Sequence, residues 1–142
     1  MKTSDSRYGR CMYFSSNALA RKTEKLATAI WKKVDLSPSH AYLLMIVLAD
    51  PGAQPGALSE ELHLSPSTIT RLIEKLEEKK LVIRTTEGKT TSVYPTAKSK
   101  EMKNQLQECV EEFHKSCVAL VGKEETGRFV NSMNKISDKL PG

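Results

Sequence analysis

Four small hydroxyls and a guanidinium crowd into one short stretch of this chain: Ser65, Ser67, Thr68, Thr70 and Arg71, with Lys75 one helical turn further on. Hydroxyls at the opening of a helix, together with its unpaired N–H groups, bind phosphate oxygens. Their small size lets the backbone come close to a groove, where an Arg one turn in can fork onto guanine O6 and N7. Arg84 and Lys89 add cations suited to the DNA backbone or the minor groove. These eight residues are the candidate DNA contacts. For the helix alone, an ordinary helical hairpin with a polar outer face competes with that reading.

Positioning these groups requires a particular set of elements. Ser65 is suited to cap a helix, its hydroxyl accepting an unpaired N–H, and Pro66 to open it, where its missing N–H costs nothing. Ile69, Leu72, Ile73 and Leu76 then recur at helical spacing, with the hydroxyls and Arg71 on the opposite face. A short amphipathic helix from Ala57 to Leu64 precedes the cap, which makes a helix-turn-helix. Ser37-Pro38 opens a further helix whose apolar run from Tyr42 to Ala49 supports the pair from behind, and Asp50 to Gly56 reads as a loop. After it, Leu81–Thr86 and Thr90–Pro95 read as two strands joined through Glu87-Gly88-Lys89. A hairpin that merely closes the domain is the alternative to a DNA-contacting wing; the cationic tip favours the wing.

On Ser65 to Arg84, and on the order of elements over nearly the whole chain, the sequence resembles the MarR family of bacterial transcriptional regulators. Where that family's wing has Asp-x-Arg, this chain has Glu87-Gly88-Lys89. Where the next helix opens with Leu-Thr-x-x-Gly, it has Pro95-Thr96-Ala97-Lys98-Ser99, sharing only Thr96. Lys89 lacks the bidentate fork of arginine. The resemblance implies a mainly α protein with a small β-wing: a winged helix-turn-helix with N- and C-terminal dimerisation helices. It implies three segments, 1–34 and 97–142 for dimerisation and 35–96 for DNA. It also implies a homodimer on a pseudo-palindromic operator in double-stranded DNA, acting as a repressor released by a small ligand or by thiol oxidation.

The outer helices fit such a dimer on physical grounds. A helical pattern runs from about Tyr8 to Val34, with Met12, Leu19, Leu26, Ile30 and Val34 along one stripe, behind a loose Met1–Ser6. Thr96 is placed to cap a helix that continues through Leu106, Cys109, Phe113 and Val121 to a stop at Gly122, and a last helix spans about Lys123 to Leu140. Amphipathic helices remote from the reading head need a surface to pack on, and a second copy of the chain supplies one. One reading helix spans too few base pairs for specificity, whereas a two-fold dimer reads two half-sites.

Two effector modes follow from the resemblance. Cys11, in Cys11-Met12-Tyr13-Phe14, is similar to the sensor position of the peroxide-sensing OhrR and MgrA branch, and Arg7 and Arg10 nearby favour the reactive thiolate. Pro38 and Ala41 stand where that branch has tyrosines, and helix packing explains Cys11 as well. Cys109 and Cys117, eight residues apart, suit either a resolving thiol or buried packing. Trp31, Tyr42 and Tyr13 are candidates to line an interlobe cleft for a small aromatic ligand, or to be core.

The remaining observations narrow the class. The 142 residues suit one domain with a real core, and the charge of +5 is compatible with nucleic acid. Between Pro66 and Lys100 stand eight basic residues against four acidic ones, of which Glu77 and Lys80 read as plain solvated charges. No apolar run has the length of a membrane span and no signal-like segment follows Met1, so a cytoplasmic location is expected. Three widely spaced cysteines make neither a disulfide framework nor a zinc site, and His114 with Cys117 is a poor metal pair. No phosphate loop, triad or paired carboxylates are present, so neither catalysis nor a cofactor is expected. The rival function is a winged helix that binds protein without specific DNA.

Overall fold

The computed structural model describes all 142 residues. Helix α1 runs Met12–Trp31 and ends in a 3-10 turn, Lys32–Val34. Then come α2 (Pro38–Ala49), α3 (Pro55–Leu62), α4 (Pro66–Glu78), strands β1 (Val82–Glu87) and β2 (Thr90–Pro95), and helices α5 (Ala97–Glu101), α6 (Lys103–Val121) and α7 (Lys123–Lys139). The expected winged helix-turn-helix between long outer helices is present.

Local capping chemistry sets the boundaries. Ser37 and Ser65 each accept a backbone N–H three residues on, from His40 and Thr68, with proline at the first helical position. Thr96 and Ser99 form a reciprocal capping box at the start of α5. At Gly122 the backbone turns to φ +100 and α6 stops. Other boundaries moved. The first helix starts at Met12, not near Tyr8. Thr3–Asp5 is a 3-10 turn rather than loose chain, and Lys22 Nζ donates to Thr3 Oγ1 at 3.2 Å. The helix-turn-helix begins at Pro55, two residues early, and His63 turns it with φ +53. The long helix expected after Thr96 is broken at Met102 into α5 and α6.

One apolar core joins the head to the outer helices. Leu43, Leu44 and Val47 of α2, Leu58 of α3, Ile69, Ile73 and Leu76 of α4, and Val93 of β2 are all buried in it. Ile30, Trp31 and Val34 from the end of α1, with Leu106 and Cys109 of α6, extend it towards the outer helices. Trp31 fell outside the expected stripe yet is fully buried, its ring 5.4 Å from Tyr42 and 6.4 Å from Phe113. Its Nε1 is a buried polar atom without a hydrogen-bond partner. Such a group costs about 1–3 kcal/mol, which the burial of so large a ring offsets.

The outer helices are covered on one side only. Met12 and Leu19 in the first half of α1, and Phe129, Val130, Met133 and Ile136 along α7, are all exposed, Ile136 by 43% and Phe129 by 47%. No residue of α7 is buried. No helix is long and apolar enough to cross a membrane.

Candidate nucleic-acid interface

The candidate face is built on α4. Its apolar stripe, Ile69, Leu72, Ile73 and Leu76, is buried against α2 and α3. That burial turns Ser67, Thr70, Arg71 and Lys75 outward, and all four are exposed. The opening turn is a hydroxyl cluster. Ser65 Oγ lies 3.2 Å from Ser67 Oγ and 2.9 Å from Thr68 Oγ1, and accepts the Thr68 N–H at 3.3 Å. Thr70 Oγ1 donates back to the Pro66 carbonyl at 3.0 Å. Its oxygen therefore faces out as an acceptor, with its proton committed to the helix.

Cations on this face divide into paired and free. Arg71 and Lys89 form no ion pair, whereas Lys75 Nζ lies 3.5 Å from Glu78. Arg84 Nη2 is 2.7 Å from Glu77 Oε1. Arg84, at the base of the wing, is thus tied to α4, and Glu77 is not the plain solvated charge expected. Sequence spacing could not show the pairing, since it joins a helix to a strand across the turn at Lys80. Lys79 is withdrawn too, donating to Asp35 O at 2.9 Å and Oδ2 at 3.0 Å.

The wing is a two-residue hairpin. Glu87 pairs with Thr90, which leaves only Gly88 and Lys89 in the turn. Gly88 has φ +61, the left-handed position at which glycine is nearly strain-free, and Lys89 follows at the tip. At the base, Gly52 N donates to Val93 O at 2.8 Å and Val93 N to Ala53 O at 2.9 Å, so the loop after α2 pairs with β2. Gly52 sits at φ +92, a strained backbone for any other residue, and a Cβ there would stand 3.3 Å from the Tyr94 ring and press it back slightly.

The other singled-out residues lie elsewhere. Cys11 is the N-cap of α1 and is exposed. Cys109 is core, its Sγ 3.9 Å from the Ile30 carbonyl, and Cys117 is half-buried. Burial pushes the Cys109 thiol up; Lys33 opposes that, and Glu112 and Glu108 add to it. Lys33 is itself raised by its hydrogen bond to Glu112. Of the expected cleft aromatics, Trp31 and Tyr42 meet between α1 and α2. Tyr13 is exposed some 27 Å away along α1 and does not join them. Phe113 of α6 takes the third place. No group of three or more His, Cys, Asp or Glu side chains is arranged to hold a metal ion.

A capped helix with a hydroxyl-rich, cationic opening turn, flanked by a short hairpin, makes a winged-helix arrangement. Residues 34–90 match the MarR family model. It is similar in structure to CouR from Rhodococcus jostii RHA1 bound to p-coumaroyl-CoA, at 15% identity over 100% of this chain and 99% of that one, with a TM-score of 0.77. The MepR–DNA complex of S. aureus is similar at 16% identity, over 91% of this chain and 98% of that one, with a TM-score of 0.79. A MarR protein from Peptoclostridium difficile is similar at 23% identity, over 97% and 90% of the two chains, with a TM-score of 0.76. No curated protein matches the chain by sequence.

Proposed function

We propose that the protein is a homodimeric, sequence-specific DNA-binding regulator that represses from a pseudo-palindromic operator. The observation that carries this reading is the outer face of α4, where the hydroxyl cluster at Ser65, Ser67 and Thr68 leads directly into Thr70 and an unpaired, exposed Arg71. In this reading Arg71 reads a base edge. Ser65, Ser67, Thr68 and Thr70 hold phosphate, while Lys75 and Lys89 follow the backbone. Arg84 acts through Glu77 by fixing the wing. Residues 35–96 form the DNA lobe; 1–34 and 97–142 hold the two copies together through the uncovered faces of α1 and α7. The protein works in the cytoplasm, without catalysis. Affinity for random duplex DNA should fall steeply as salt rises, because bound phosphates release counterions. Binding that ignores salt points instead to a winged helix for protein partners.

Release has two candidate triggers. A small aromatic ligand is favoured by the Trp31–Tyr42–Phe113 cluster between α1, α2 and α6, and by the p-coumaroyl group bound to the similar CouR. An oxidant is favoured by the exposure of Cys11 at the start of α1. Band-shift affinity before and after organic hydroperoxide separates them. A Cys11→Ser variant that responds like the parent protein removes the second.

A further inference from the structure

The far end of α4 is held by polar contacts from both outer segments. Carbonyls past the end of a helix have no partner within it. Here those of Lys79, Lys80 and Leu81 are all taken by the opening of α5. Lys98 Nζ donates to Lys79 O at 3.1 Å, Thr96 Oγ1 to Lys80 O at 2.8 Å, and the Thr96 N–H to Leu81 O at 3.2 Å. The chain makes the whole β1–β2 hairpin before it returns to supply them. On the other side, Lys79 Nζ donates to the Asp35 carbonyl at 2.9 Å and to its carboxylate at 3.0 Å. Asp35 closes the 3-10 turn that follows α1. Lys79 is therefore bonded through its backbone to the start of α5 and through its side chain to the end of α1. Next to it, Lys80 stands at φ +60, a left-handed turn that is strained for lysine and that the Thr96 bond braces.

We propose that Lys79 and Lys98 are positioning residues that fix the direction of α4 against the outer helices, so that the protein accepts its two half-sites at one separation only. This rests on the DNA-binding reading given above. One extra base pair moves the second half-site by roughly 3.4 Å and turns it by roughly 35° about the DNA axis. A reading helix that swings at its far end follows such a change. One bonded on both sides to the segments that hold the dimer does not. Each bond is weak alone, since Lys98 and Asp35 are exposed. Leverage amplifies them: Ser65 lies roughly 20 Å along α4 from Lys79, so a tilt of about 10° displaces the opening turn by about 3.5 Å. That is the rise of one base pair.

The test is band-shift titration of the full-length protein on duplexes that carry one pair of inverted half-sites, recovered by selection from a random pool. The pair is placed at its best separation and with one base pair added or removed. The parent protein should bind the altered duplexes about tenfold more weakly. In Lys79→Met and in Lys98→Met that penalty should fall to about threefold or less, a change of the size of one lost hydrogen bond. Lys98→Arg keeps a donor and should keep the parent's penalty. So should Lys80→Met, which removes an equal charge from an exposed neighbouring side chain. Affinity of Lys79→Met and Lys98→Met for a single half-site should match that of Lys80→Met, which a loss of folding would not allow. The proposal is overturned by a penalty that both Met variants leave unchanged, that Lys80→Met lowers equally, or that the parent lacks; in each case binding of the inverted repeat leaves the DNA-binding reading standing. A parent that binds no duplex overturns both.

Discussion

Glu77 and Arg84 make a 2.7 Å ion pair that joins the last turn of α4 to the first wing strand. Each side chain is about one-third exposed, so the pair contributes little to folding, up to about 1 kcal/mol. Its effect is geometric: it sets the angle at which the wing leaves α4. In the proposed reading, losing that alignment weakens DNA binding through Lys89 without removing any residue assigned to DNA.

Glu77→Gln should therefore weaken duplex binding by about fivefold while changing unfolding free energy by less than about 1 kcal/mol. Band-shift titration and urea unfolding measure the two. The charge-reversed double variant, Glu77→Arg with Arg84→Glu, should recover most of the affinity. If Arg84 touched DNA itself, the reversal would make binding worse than either single change.

Removing the caps should cost stability in a ranked order. Ser65→Ala loses one cap hydrogen bond and should destabilise by about 1 kcal/mol. Thr96→Ala should cost more, since Thr96 Oγ1 accepts the Ser99 N–H and also donates to Lys80 O at 2.8 Å. Urea unfolding midpoints of the two variants check the order.

These caps were legible in the sequence because a cap is a local device: a hydroxyl three residues before its N–H, with proline between at Ser65. The stripe of α4 was legible for a similar reason, since Ile69, Leu72, Ile73 and Leu76 repeat at a spacing only a helix uses. What the sequence hid depends on contacts distant along the chain. Trp31 reads as cleft lining or core, and only the fold shows Tyr42 and Phe113 packed beside it in the core. Nothing in the strand of Arg84 shows Glu77 beside it. The break at Met102 had no signal either, as neither proline nor glycine marks it. In the candidate site, the residue types on the outer face of α4 were readable; which cations were already taken was not.

The lowered pKa of His40 makes stability depend on pH. The unfolded ring titrates near 6.5 and the folded one below that, so between the two the unfolded state holds more protons. Stability is complete above about 6.5 and falls as pH drops through that window. Thermal unfolding between pH 7.5 and 5 should show a loss on the acid side that His40→Gln reduces. An unchanged profile in the variant would mean another group is responsible.

Arg71 and Lys89 should fail in different ways. Arg71→Ala should cost about 1–3 kcal/mol on a preferred site and relax base choice at one position. Lys89→Ala should weaken all duplexes alike and reduce the salt slope by about one unit. Competition binding on a set of point-substituted duplexes tells them apart, and an exchanged pattern would assign the reading role to the wing.

Selection of bound duplexes from a random pool by the full-length protein tests the reading most directly. Two copies of α4 held by the outer helices predict enrichment of an inverted repeat, with half-sites centred about one helical turn, roughly 10 base pairs, apart. Enrichment of a single unrepeated site, or no enrichment at all, would contradict it.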